Sequence, residues 1–178
     1  ISDIETADST MPVFIVSKSF RSMVMNGGSV EDKDEDGTIV VIDYKDEHVL
    51  LADIYGSLYI GDNPNSAVWI NGLKILCQGV YDPNNLADNT VATLVKVDPW
   101  DFEIDWDQSL DKYNARNLVS NLSGDTYFFT ASDGVYTMTP TGTIVDKILP
   151  IIKSVEINIK LILSISFHQF FILNKLNI

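Results

Sequence analysis

The chain has 178 residues, 46% of them hydrophobic, enough for one domain with a buried core, and a net charge of −13. So acidic a balance excludes DNA or RNA as partners, since phosphates need a basic footprint, and it opposes docking on anionic lipid. Cation binding is the function that such a charge favours.

In chain order, the start at Ile1 without a charged-then-apolar leader points to a removed leader or a fragment of a longer protein. Short strands are predicted over 13–18, 38–44, 49–54, 67–70, 74–78, 92–98, 102–106, 118–121, 126–131 and 134–139. These runs are rich in Val, Ile, Thr, Tyr and Phe and are broken by Gly, Asn, Asp and Pro. The near-continuous apolar stretches 38–42 and 92–97 fit strands buried on both faces. Asn71-Gly72 and Ser123-Gly124-Asp125 supply the positive φ of tight hairpins. Residues 107–117 hold one helical turn at most. Cys77, the single cysteine, permits no intrachain disulfide and reads as a buried small hydrophobe.

A bend recurs three times, as Ile42-Asp43-Tyr44-Lys45-Asp46, Val97-Asp98-Pro99-Trp100-Asp101 and Met138-Thr139-Pro140-Thr141-Gly142. The spacings are 55 and 41 residues, and a polar insertion over 79–90 accounts for most of the difference. A period near 40 is that of a four-stranded propeller blade. The expected fold is therefore all-β and propeller-like, a partial ring of about three to four blades of antiparallel sheet. Units are expected at 38–78 and 92–131, with a third beginning at 134. The repeat domain covers 1–150 and holds every glycine and proline, with nine Lys and Arg against 24 Asp and Glu. The tail 151–178 reverses that balance, with three lysines and one glutamate. Its uncharged run is too short to span a membrane as a helix. A terminus docked on the domain, a frame-shifted end and a membrane anchor remain open for it.

The run 63–79 (NPNSAVWINGLKILCQG), followed by 89–99 (NTVATLVKVDP), resembles the repeats of YVTN/YncE-like β-propeller proteins over roughly 37–150. Members of that family include envelope lipoproteins of Gram-negative bacteria. The resemblance implies a periplasmic or outer-membrane surface location and capture of a small molecule, corrinoid- or haem-like, or of an envelope protein.

Three sets of residues are candidates for chemistry. Asp32-Lys33-Asp34-Glu35-Asp36-Gly37-Thr38 matches the opening of a calcium loop, with Asp32, Asp34, Asp36, the Thr38 carbonyl and Asp43 as ligands of a weak Ca2+ site; an acidic solvated loop explains it equally simply. Loop and hairpin-tip positions give a ligand set of Asn63, Asn65, Tyr81, Asp82, Asn84, Asn85, Asn114 and Arg116. Of the tryptophans, Trp69 is expected in the core, with Trp100 and Trp106 at the rim. Catalytic motifs are missing, and the only histidines are His48 and His168. The expected function is a non-catalytic binding module. A propeller-based hydrolase or lyase and a structural fragment with a calcium loop are the alternatives.

Overall fold

The computed structural model describes residues 12–27, 37–44, 52–82 and 84–150. Among these described residues, twelve strands form three separate antiparallel sheets of four, each a simple meander in chain order, with no closed barrel. This is a partial, propeller-like all-β fold. The first sheet is β1 (Pro12–Lys18), β2 (Arg21–Gly27), β3 (Gly37–Tyr44) and β4 (Ala52–Tyr59). The second is β5 (Pro64–Trp69), β6 (Leu73–Cys77), β7 (Thr93–Asp98) and β8 (Glu103–Ser109). The third is β9 (Arg116–Ser120), β10 (Tyr127–Ala131), β11 (Gly134–Met138) and β12 (Ile144–Pro150). The insertion joins β6 to β7 and contains one 3-10 turn, Leu86–Asp88.

The second and third recurring bends fall in the same place, between the third and fourth strands of their sheets; of the first, Ile42 to Tyr44 end β3, and residues 45 and 46 lie outside the described residues. Asp98 accepts the backbone N–H groups of Trp100 (2.7 Å) and Asp101 (3.1 Å), and the Thr139 hydroxyl oxygen accepts that of Thr143 at 3.1 Å. Side-chain oxygens closing their own turns explain why Asp and Thr recur there. The Asn-Gly and Ser-Gly turns also match, each joining a first strand to a second. Asn71, Gly72 and Gly124 all take positive φ, at 52°, 99° and 69°. A side chain on Gly124 would collide with Ile70 of the neighbouring sheet, so glycine serves both the turn and the close approach there.

The phase of the repeat differs from the sequence expectation. Units begin at 12, 64 and 116, rather than at 38, 92 and 134. Two strands unseen in the sequence cause the shift. β2 opens with a charge and closes in Asn-Gly, with methionines where β-branched residues would signal a strand. β12 carries Asp146-Lys147 at its centre and ends in proline. Polar groups on β2 are partly paired: Arg21 reaches Asp43, and Asn26 donates to the Thr38 hydroxyl at 3.1 Å, while the buried Asn26 Oδ1 has no partner among the described residues. Expectations for the tail 151–178, for His48 and for Asp32, Asp34 and Asp36 lie outside the described residues.

Apolar residues alternate along the inner strands, and the second sheet so packs against both of the others. Met23, Met25, Ile39 and Val41 of the first sheet meet Leu73, Ile75, Cys77, Val95 and Val97 of the second. On the second sheet's other side, Leu76 and Leu94 meet Leu118, Tyr127, Phe129, Tyr136 and Met138. Strand β3 is buried on both faces from Ile39 to Ile42, as expected. Burial pushes the Cys77 thiol up to about 12, which marks a packing residue rather than a nucleophile. Trp69 and Trp106 pack against these cores, whereas Trp100 is 56% exposed.

Candidate ligand site

The first strands of the three sheets, β1, β5 and β9, lie side by side. Each is irregular near its beginning. The register slips between Pro12 and Phe14 in β1, between Pro64 and Ser66 in β5, and opposite Phe128 and Thr130 in β9. A bulge inserts one residue and turns its side chain out of the ladder, a device common at binding sites. Equivalent positions follow from the pairing: Val16, Val68 and Val119 each sit opposite the residue whose partner lies two before Asp43, Asp98 or Thr139. Counting back three residues gives Val13, Asn65 and Arg116.

All three line one cavity of about 340 Å3, together with Gly27. Asn63, Gln78 and Asn117 complete its wall. Repetition of one sheet thus brings three equivalent positions to a common point, and only the residue types differ among them.

The amides around the cavity are anchored by their N–H groups. Asn63 donates to the Gly79 carbonyl at 3.1 Å, Asn65 to that of Ala115 at 2.9 Å, and Gln78 to the Asn114 side-chain oxygen at 3.0 Å. Asn117 donates to the Thr130 hydroxyl at 3.0 Å. Asn65 also accepts the Ser66 hydroxyl at 2.8 Å, and the Ser66 oxygen accepts the Leu118 N–H at 3.0 Å. Asn63, Asn114 and Asn117 hold left-handed backbone, with φ of 54°, 54° and 60°. Asparagine bears that conformation better than most side chains. The Arg116 guanidinium has no ion-pair or hydrogen-bond partner among the described residues.

Of the eight ligand candidates read from the sequence, Asn63, Asn65 and Arg116 line the cavity, and Asn114 stands directly behind it through Gln78. Tyr81, Asp82, Asn84 and Asn85 sit apart from it on the inserted loop. Their polar atoms largely satisfy that loop itself. Asp82 accepts the Asn84 N–H at 2.8 Å, Asn89 accepts the Asp82 N–H at 2.7 Å, and Asn85 donates to Asp88 at 2.5 Å. Tyr81 packs against Tyr113 with ring centroids 5.3 Å apart and the rings tilted by 43°. Val13, Gly27, Gln78 and Asn117 were not singled out from the sequence. The signal that finds them is position relative to the strand bulges, which requires the register to be known.

Of the calcium candidates, Asp32, Asp34 and Asp36 lie outside the described residues, and Thr38 and Asp43 are on β3. Thr38 and Asp43 lie at opposite ends of β3, five residues and so about 16 Å apart, too far to share one ion. Asp43 is engaged instead by Arg21, at 2.5 and 2.6 Å, and is therefore not the residue that closes a twelve-position loop. Among the described residues no group of three His, Cys, Asp or Glu is placed to hold a metal. None of their helices is long and apolar enough to cross a membrane.

No protein-family model matches the chain, and no curated protein matches it.

Proposed function

We propose that the chain is a non-catalytic binding module of propeller type, and that its small-molecule site is the cavity where β1, β5 and β9 converge. The observation that carries this reading is the meeting there of Asn63, Asn65 and Arg116 with the equivalent position Val13. Binding sites typically occupy about 300–1,000 Å3, and at about 340 Å3 this one suits a small polar molecule better than a corrinoid or haem. Its wall contains no Asp, Glu, His, Cys, Lys or Tyr, so it offers no side chain suited to acid–base work, and this favours binding over a hydrolase or lyase. The envelope location implied by the YncE-like repeats belongs to the same reading. An envelope-protein partner is the second reading, favoured by the exposure of Leu86 and of the Tyr81–Tyr113 pair.

Amide chemical-shift mapping with a panel of small sugars, amino acids and hydroxy acids tests the proposal. Shifts confined to Asn63, Asn65, Gln78, Arg116 and Asn117 support it. Shifts confined to the inserted loop, or none anywhere, overturn it. Haem and cobalamin titrations followed by absorbance are expected to leave both spectra unchanged.

A further inference from the structure

We infer that the ligand of this cavity is a small hydroxylated carboxylate of the sugar-acid type. The inference rests on the cavity being the ligand site and adds what the site selects. The first observation is electrostatic. The chain carries 25 Asp and Glu and only two arginines. Arg21 is committed to Asp43 and to carbonyls of the neighbouring sheet. Arg116 is the other, and it lines a wall whose residues include no carboxylate. A guanidinium fork with no partner among the described residues, on a chain of net charge −13, suits a carboxylate.

The second observation is the hydrogen-bond inventory. Asn63, Gln78 and Asn117 each spend a side-chain N–H on the scaffold, which leaves their carbonyl oxygens without a partner among the described residues. Three acceptors call for three donors, and hydroxyl groups supply them. Asn65 is different: its oxygen already receives the Ser66 hydroxyl and its nitrogen serves Ala115, so it shapes the wall. A bare anion would leave the three amide oxygens without donors, and a neutral sugar would offer Arg116 only hydroxyl oxygens in place of a charged partner. Only a molecule with both groups answers the whole site.

Calorimetric titration and shift mapping with D-glucuronate, D-glucose and acetate test this. Glucuronate is expected to bind about tenfold more tightly than either glucose or acetate, the scale of one charge-assisted pair. Arg116→Gln, a change at an exposed side chain, should leave the melting temperature unaltered and bring glucuronate down to the level of glucose. Equal binding of glucose and glucuronate, unaffected by R116Q, overturns the carboxylate assignment while leaving the cavity as a ligand site. Equal binding of acetate and glucuronate overturns the hydroxyl assignment in the same way. If none of the three shifts the cavity's resonances while other small polar molecules do, this inference alone falls. If no small molecule does, the site itself falls with it.

Discussion

The two seams between sheets are built from different materials. The first, between the sheet of β1–β4 and that of β5–β8, is aliphatic and sulfur-rich and is clamped at one end by charge. There Arg21 holds Asp43, donates to the carbonyls of Pro99 and Trp100, and lies 5.2 Å from the Trp100 ring. The second seam, between the sheets of β5–β8 and β9–β12, is aromatic and is stitched by neutral groups at both ends. Asn65, Ser66 and Gln78 cross it beside the cavity. Asn71 donates to the Ser123 carbonyl at 3.1 Å, and the Tyr127 hydroxyl to that of Ile70 at 3.2 Å, at the other end. The cavity sits at the amide-stitched end. Fixed amides hold a polar wall in place without the charge that would compete for a ligand.

The largest expected difference comes from removing the clamp. Arg21→Ala leaves Asp43 partly buried without its partner, with side-chain exposures of 9% and 26% for the pair. The loss should be about 2–3 kcal/mol, between the value of an exposed ion pair and that of a fully buried one broken on one side. Urea unfolding measures it. A loss below about 0.5 kcal/mol, the scale of an ordinary surface change, would show that the aliphatic contacts alone hold the first seam.

A smaller effect, of opposite sign, is expected at the second seam. Lys74 is 3% exposed, 3.3 Å from the Asn71 carbonyl and 5.2 Å from the Tyr127 ring, with no ion pair among the described residues. Burial, and then the charge of Lys96, pushes its amine below the ordinary lysine range. The equivalent positions in the other sheets hold Met23 and Phe128, so the repeat itself prefers an apolar side chain there. Lys74→Met should stabilise the chain by about 1 kcal/mol and raise Tm by about 2–4 °C. A fall in Tm would mean that the ammonium contributes more through Asn71 and Tyr127 than its burial costs.

Where the sequence was legible, local chemistry was strong. Asp98 and Thr139 caps, the Asn71-Gly72 turn and the apolar runs of β3 and β7 each act within a few residues, and each was readable in place. The phase of the repeat was not, because Arg21 and Asn26 make β2 look polar and their partners, Asp43 and Thr38, lie on another strand. The cavity was half legible for a related reason. Asn63, Asn65 and Arg116 stand out as polar residues at strand ends, whereas Gln78 and Asn117 gain meaning only once β5 and β9 are adjacent. Asp43 has a partner that its spacing from Asp32 does not reveal, since Arg21 of β2 holds its carboxylate.

The smallest effect separates the seams by pH. Asp98 accepts two backbone N–H groups, from Trp100 and then Asp101, and these hold its carboxyl below the ordinary value of 3.8. The folded chain therefore binds that proton less readily than the unfolded chain. The turn's contribution is complete above about pH 4 and is lost as pH falls through the lower folded value. Because Trp100 on this turn also receives Arg21, acid should weaken the first seam there, while the neutral amides and hydroxyls of the second do not titrate. Hydrogen exchange at pH 6 and pH 3, referenced to intrinsic rates, reads this directly. Protection of β2 and β7 should fall more than that of β10, and Asp98→Asn should shrink the difference. Equal losses at both seams, unchanged in D98N, would show that acid acts on the chain's overall charge rather than on this turn.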